Sequence, residues 1–176
     1  MSAAPQSFPG RGLRGLVALQ WKGDLTAAEK IFSSIPPGPD PNGLMAWGRL
    51  WILRLQRKFP EALYVVQQFR GETLSNGTTA PAPKAFLEGE IYLLLGDEAK
   101  ARTAFEHARI VSEQLLREAP ADPSRHGQHG LILAALGQKP QAIAEGKRAV
   151  ELFTEPTAAC KGPQEAAAPA QVSSWH

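Results

Sequence analysis

The chain has 176 residues, and its 43% apolar and 20% charged side chains are ordinary proportions for a soluble globular protein. Its 19 basic and 17 acidic side chains nearly cancel, so a polyanion such as nucleic acid is not expected as the main partner. The single cysteine, Cys160, excludes an internal disulfide and favours a reducing compartment. Neither a signal peptide nor a membrane-spanning run is recognisable, so a cytoplasmic location is expected.

The first ten residues contain Pro5, Pro9 and Gly10 without a periodic apolar pattern, and this predicts a flexible tail over 1–10. A first helical hairpin follows, with its turn at Gly23 and a second helix that carries Phe32. A proline-rich segment then ends this hairpin, because consecutive prolines cannot continue a helix.

A second hairpin is predicted after residue 43. Its first helix carries Leu44, Trp47 and Trp51, and its partner helix carries Ala62. The segment 71–83 that follows is rich in Gly, Ser, Asn, Thr and Pro, which predicts a long loop and a candidate hinge.

Two further hairpins complete the predicted domain, which spans 11–155. The third turns at Gly96 and continues as a helix over 98–118 that ends before Pro120. The fourth turns at Gly137. The remaining segment, 156–176, is rich in Ala, Pro, Gln and Ser and is predicted to be disordered.

A small side chain recurs at the same place in each hairpin. Ala28, Ala62, Ala101 and Ala142 follow one another at intervals of 34, 39 and 41 residues. A period in this range is typical of solenoids, in which each helical hairpin buries its apolar face only against its neighbours. The sequence therefore predicts an all-α fold, an α-solenoid of about four stacked antiparallel helical hairpins.

The pattern resembles the tetratricopeptide repeat family, whose unit is 34 residues long. In the third repeat the matching positions are Gly89, Tyr92, Gly96, Asp97, Ala101, Phe105 and Ala108. The fourth repeat keeps much of the signature but has Gly146 where a large residue is expected, and the second keeps little beyond Ala62. The end of the array also looks like the C-terminal repeat arrays of bacterial signalling proteins.

This resemblance implies a right-handed superhelix. It also implies a concave groove, lined by the first helix of each repeat, that binds a peptide or a partner domain. The candidate groove residues include Trp47, Trp51 and Arg54, which lie at i, i+4 and i+7, and Trp and Arg are enriched at binding hot spots. The competing interpretation is that both tryptophans only pack the core between adjacent hairpins. The other groove candidates include Val17, Trp21, Leu44, Leu55, Phe86, Glu90 and Leu93.

No motif for nucleophilic, acid–base or phosphate chemistry is present, so we expect a non-enzymatic protein with no cofactor. His126 and His129 lie three residues apart but lack a third ligand, so no metal site is expected. One of these histidines is instead expected to pack at a hairpin crossing and the other to be solvated.

The function predicted from the sequence is a protein–protein interaction scaffold. Two alternatives remain: an oligomerisation module that forms the helical part of a larger signalling protein, and a less favoured RNA-binding helical repeat. No amphipathic helix follows the fourth hairpin, so Ile143, Val150 and Phe153 are expected to be partly exposed there. Such a patch would favour self-association or docking with another domain.

Overall fold

Helices dominate the chain, as described by a computed structural model that covers residues 10, 12, 14, 15, 17, 18, 21, 23–35, 40–75 and 80–154. The described residues between 10 and 18 are helical. The elements that follow are α1 Leu25–Ser34, α2 Leu44–Leu55, α3 Phe59–Gln68, β1 Thr73–Leu74, β2 Ala82–Pro83, α4 Lys84–Leu94, α5 Glu98–Glu118, α6 Pro123–Ala135 and α7 Lys139–Thr154.

Consecutive helices pack against each other in hairpins. Helices α2 and α3, α4 and α5, and α6 and α7 each form a hairpin across a three-residue turn, and α3 packs on α4 as α5 packs on α6. Contacts between neighbours in sequence dominate the structure, as expected when each hairpin buries its apolar face against the next. The predicted all-α class of stacked helical hairpins is confirmed.

A left-handed residue ends the first helix of every hairpin. These residues are Gly23, Arg57, Gly96 and Gly137, with φ angles of 62°, 60°, 78° and 79°, and each lies five residues before one of the recurring alanines. In the last three hairpins the next N–H donates to the carbonyl five residues earlier at 2.9 Å, which completes the helix cap. The sequence period therefore marks a repeated turn, and Arg57 takes the place of glycine in the second hairpin.

Large and small side chains meet where the helices cross. The Phe32 ring packs against Gly15 and Gly48, and the Phe105 ring packs against Gly89, where an added Cβ would lie 2.5 Å from the ring. In the fourth hairpin the place of the phenylalanine is taken by Gly146, and no ring separates α6 from α7. The two backbones approach closely there instead.

The segment 71–83 is more than the long loop predicted from its composition. Strands β1 and β2 pair antiparallel in it, with Thr73 opposite Pro83 and Leu74 opposite Ala82. Leu74 and Ala82 are buried in the core formed by α2, α3 and α4. The composition of the segment is polar, but these two apolar side chains anchor it to the core. Residues 76–79 lie outside the described residues.

The two tails predicted at the chain ends lie almost entirely outside the described residues. The tail expected over 1–10 lies outside them except for Gly10, which is helical, and the tail expected over 156–176 lies outside them entirely. In the described part of the chain, no helix combines the length and the apolar character that a bilayer crossing needs.

Candidate functional site

Exposed apolar side chains recur at the same register on the first helices of successive hairpins. Counting back six residues from each left-handed turn residue gives the exposed Val17, Trp51 and Leu131, with the half-buried Glu90 at this position in the third hairpin. Counting back two residues gives a second row of exposed positions: Trp21, Leu55, Leu94 and Ala135. We call this surface the first-helix face, and define it by Val17, Trp21, Trp51, Arg54, Leu55, Glu90, Leu93, Leu94 and Leu131.

Side-chain contacts connect this face from one hairpin to the next. The Arg54 Nη1 donates to the Glu90 Oε2 at 2.8 Å, which bridges α2 and α4. A cleft of about 530 Å³ lies further along, lined by Leu93 from α4, Ala135 and Leu136 from α6 and several α5 side chains. The face therefore continues from the second hairpin to the fourth.

The centre of the first-helix face is an aromatic and cationic cluster. The Trp47 and Trp51 ring centroids are 6.5 Å apart, and the Arg54 guanidinium carbon lies 5.3 Å from the Trp51 ring centroid. Arg54 thus contacts an aromatic ring and a carboxylate at once. These contacts hold its long side chain in place and reduce the conformational entropy that binding would cost.

The two tryptophans differ in environment. Trp47 packs against the apolar core around Phe32 and the apolar core around Leu50, and its buried indole N–H has no acceptor among the described residues. Trp51 is 37% exposed and presents its ring to the surface. Trp47 therefore packs in the core, as the core-packing interpretation expects. Trp51 is accessible, as the groove interpretation requires.

The remaining groove candidates fall into two groups. Trp21, 86% exposed, and Glu90, in its ion pair, lie on the first-helix face. Leu44 is half-buried against the apolar core around Phe32, and Phe86 packs on the Phe105 ring with centroids 5.9 Å apart. Leu44 and Phe86 therefore contribute mainly to packing between helices.

Two residues of the face were missed in the sequence. Leu94 and Leu131 are exposed on α4 and α6, at the register positions that Trp21 and Trp51 occupy in earlier hairpins. Counting from the turn glycines rather than from the alanines would have identified them, since the turn sets the phase of the preceding helix.

Two charged side chains of α4 are involved in its packing. Glu88 on α4 is half-buried, and burial raises the pKa of its carboxyl, while the nearby Lys84 and His107 act in the opposite direction. Lys84 also donates to the carbonyl of Phe69 at 3.1 Å, which ties α4 to the end of α3. Lys84 therefore connects the second hairpin to the third.

A polar cluster joins the third and fourth hairpins. The buried Ser112 Oγ lies 2.7 Å from the Nδ1 of the buried His129, and burial lowers the pKa of this imidazole. One of the two histidines was expected to be solvated, but the Nδ1 of His126 lies 2.6 Å from the Glu145 Oε2 and its Nε2 lies 2.9 Å from the Pro120 carbonyl. The contact with Glu145 of α7 therefore holds the His126 side chain in place. No cluster of three or more possible metal ligands occurs among the described residues.

Comparisons with known proteins give a likeness to solved structures alone. No family model matches the sequence, and no curated protein matches it. A crystal structure of MamA is similar to this chain over 85% of its length and 80% of the MamA chain, with 15% sequence identity and a TM-score of 0.48.

Proposed function

We propose that this chain is a non-enzymatic interaction scaffold whose first-helix face binds a peptide segment of a partner protein. The observation that carries the proposal is the repetition of exposed apolar side chains at one register on three first helices, namely Val17, Trp51 and Leu131. Contiguous exposed apolar surface on a soluble protein commonly marks an interaction site.

The charges of the face favour an apolar ligand surface. Arg54 and Glu90 neutralise each other at 2.8 Å, so neither is a ready partner for a charged ligand. The remaining members of the face are apolar or aromatic. An amphipathic helix that lays its apolar side across the rows fits this chemistry better than an acidic peptide or an RNA backbone does.

Trp51 and Arg54 are the expected anchors of binding. An exposed Trp ring supplies a large contact area at small entropic cost, and the cation–π contact with Arg54 orients it before a ligand arrives. A partner side chain that covers the ring would also exclude water from the Arg54–Glu90 pair, which would strengthen it.

Burial of the Ser112–His129 pair supports a non-enzymatic role. A serine hydroxyl beside an imidazole could act as a nucleophile and its base, but Ser112 is only 2% exposed. A substrate would have to separate α5 from α6 to reach it. The contact is better explained as a hydrogen bond between packed helices.

The test is selection of binders from a displayed library of helical peptides, followed by affinity measurement with the wild-type chain and two variants. Trp51→Ala should weaken binding of the selected peptides by at least about tenfold, the effect of losing a hot-spot side chain. Tyr64→Ala is the matched control, because Tyr64 is an exposed aromatic residue on α3, a second helix.

The proposal is contradicted if no helical peptide is selected, or if Trp51→Ala and Tyr64→Ala weaken binding equally. Retention of the wild-type chain on single-stranded RNA at moderate salt would favour the RNA-binding alternative instead.

A further inference from the structure

Helix α7 carries an exposed apolar stripe on its outer side. Ile143, Val150 and Phe153 are 60%, 63% and 82% exposed, and with Gly146 they lie at i, i+3, i+7 and i+10. This spacing places all four on one side of the helix and is the a/d pattern of paired helices. The exposure expected from the sequence for the last hairpin is confirmed.

The stripe includes an opening at Gly146. A Cβ added there would meet nothing within 4 Å, whereas an added Cβ at Gly89 would lie 2.5 Å from the Phe105 ring. A further cleft of about 270 Å³ lies beside the stripe and is lined by Pro123, Ala149 and Phe153, among others. The outer side of α7 thus presents two large side chains, one medium one and one open position.

Two copies of this stripe complement each other when their α7 helices run antiparallel. With a two-fold axis beside position 148, Ile143 faces Phe153 of the second copy, and Gly146 faces Val150 of the second copy. Each large apolar pair then lies at one end of the contact. Each valine lies over a glycine near the centre, where the missing side chain allows the helices to approach closely.

We propose that two copies of this chain associate through antiparallel α7 helices, with layers that pair Ile143 with Phe153 and Gly146 with Val150. A second copy is the occupant that these residues specify, because a two-fold interface requires one surface that complements itself. This surface is separate from the first-helix face, so the two proposals can fail independently.

The charged side chains of α7 set the expected strength and salt dependence. Arg148 pairs with Glu151 at 3.3 Å, and the helical phase places both outside the apolar stripe. Lys147 borders the stripe, so the two copies of Lys147 approach each other near the two-fold axis. Association should therefore strengthen when salt screens this repulsion, and also in Lys147→Ala. An interface made by one short stripe from each copy is expected to bury less than the roughly 1,200 Å² of stable interfaces, so the association should be weak.

The first test is sedimentation velocity of the full chain from about 5 to about 500 µM, the range in which weak dimers dissociate. The wild type should approach the dimer limit as concentration rises, and Ile143→Glu should lose at least about tenfold in association because it buries a charge. Ile110→Glu is the matched control, because Ile110 is 57% exposed on α5 and lies outside the stripe. It should associate like the wild type.

The second test fixes the direction of the helices. In a Cys160→Ser background, a mixture of Gly146→Cys and Val150→Cys chains should form an intermolecular disulfide faster than either variant alone, since only the mixed pair lies in one layer. Faster cross-linking of a single variant would indicate a parallel pair and overturn the proposal.

Three other outcomes also overturn it: a wild type that stays monomeric throughout, equal loss of association in Ile143→Glu and Ile110→Glu, or growth beyond a dimer. Circular dichroism of each variant checks that it folds. If Ile143→Glu does not fold, the Lys147→Ala variant decides, and weaker association in that variant contradicts the proposal.

Discussion

The Oγ of Ser112 lies 2.7 Å from the Nδ1 of His129, and this contact joins α5 to α6 in the buried interface between two hairpins. The hydroxyl also lies 2.9 Å from the carbonyl of Arg109, to which it can donate. When the hydroxyl donates to that carbonyl, the Nδ1–H of the neutral imidazole can donate to the hydroxyl oxygen. Burial holds His129 in the neutral form, because a charged ring would lose its hydration.

Acid should therefore destabilise the fold through His129. Burial lowers the pKa of its imidazole below the ordinary value, so the unfolded chain takes up the proton first as pH falls. The contribution of neutral His129 to the free energy of unfolding is fully present above about pH 6.5, the imidazole pKa in the unfolded chain. Below that pH the free energy of unfolding decreases by up to about 1.4 kcal/mol per pH unit. Urea unfolding between neutral and mildly acidic pH measures this slope.

A His129→Gln control should flatten this part of the pH profile. Four charged or titratable side chains also influence the His129 ring: Glu145 and Glu113 favour its charged form, and Arg109 and His126 oppose it. An unchanged slope in His129→Gln would assign the acid sensitivity to these neighbours rather than to His129.

Glycine-to-alanine substitutions should have opposite effects in two hairpins. Gly146→Ala should raise the free energy of unfolding by about 0.5–1 kcal/mol, because alanine favours the helix and the new Cβ meets nothing within 4 Å. Gly89→Ala should lower it by about 1–3 kcal/mol, because its Cβ would lie 2.5 Å from the Phe105 ring. Chemical denaturation at low protein concentration compares them, and equal effects would contradict this account of the crossings.

The left-handed turn of the second hairpin should accept glycine. Arg57 has a φ of 60°, a conformation that disfavours a side chain, so Arg57→Gly should raise the free energy of unfolding by about 1 kcal/mol. The reciprocal change, Gly96→Ala, should lower it by a similar amount, because Gly96 has a φ of 78°. Thermal unfolding measures both, and a destabilising Arg57→Gly would show that the side chain has a compensating role.

The paired strands β1 and β2, between the second and third hairpins, should contribute to stability as core residues do. Leu74 is fully buried, so Leu74→Ala should lower the free energy of unfolding by about 2–5 kcal/mol. Thr73→Ala, next to it in β1 but only half-buried, should cost less than about 1 kcal/mol. Equal and small losses on urea unfolding would return the segment to the flexible loop expected from its composition.

The sequence by itself determined the repeating unit and its turns. Apolar periodicity, turn glycines and prolines act within a few residues of their own position, so they predict local elements well. The predicted helix over 98–118 matches α5, Glu98–Glu118, and the recurring alanines lie at a constant distance from the left-handed turn residues. The same local rules misjudged 71–83, since its two apolar side chains are buried by helices from elsewhere in the chain.

Only the tertiary structure decided which side chains are accessible and which are paired. Trp47 and Trp51 occupy the same helix, but packing against neighbouring hairpins buries much of one and leaves the other exposed. Arg54 meets Glu90 across 36 residues of sequence. Such contacts depend on how whole hairpins stack, which no local pattern specifies. The candidate site is therefore a product of stacking, while the helices that carry it are a product of local sequence.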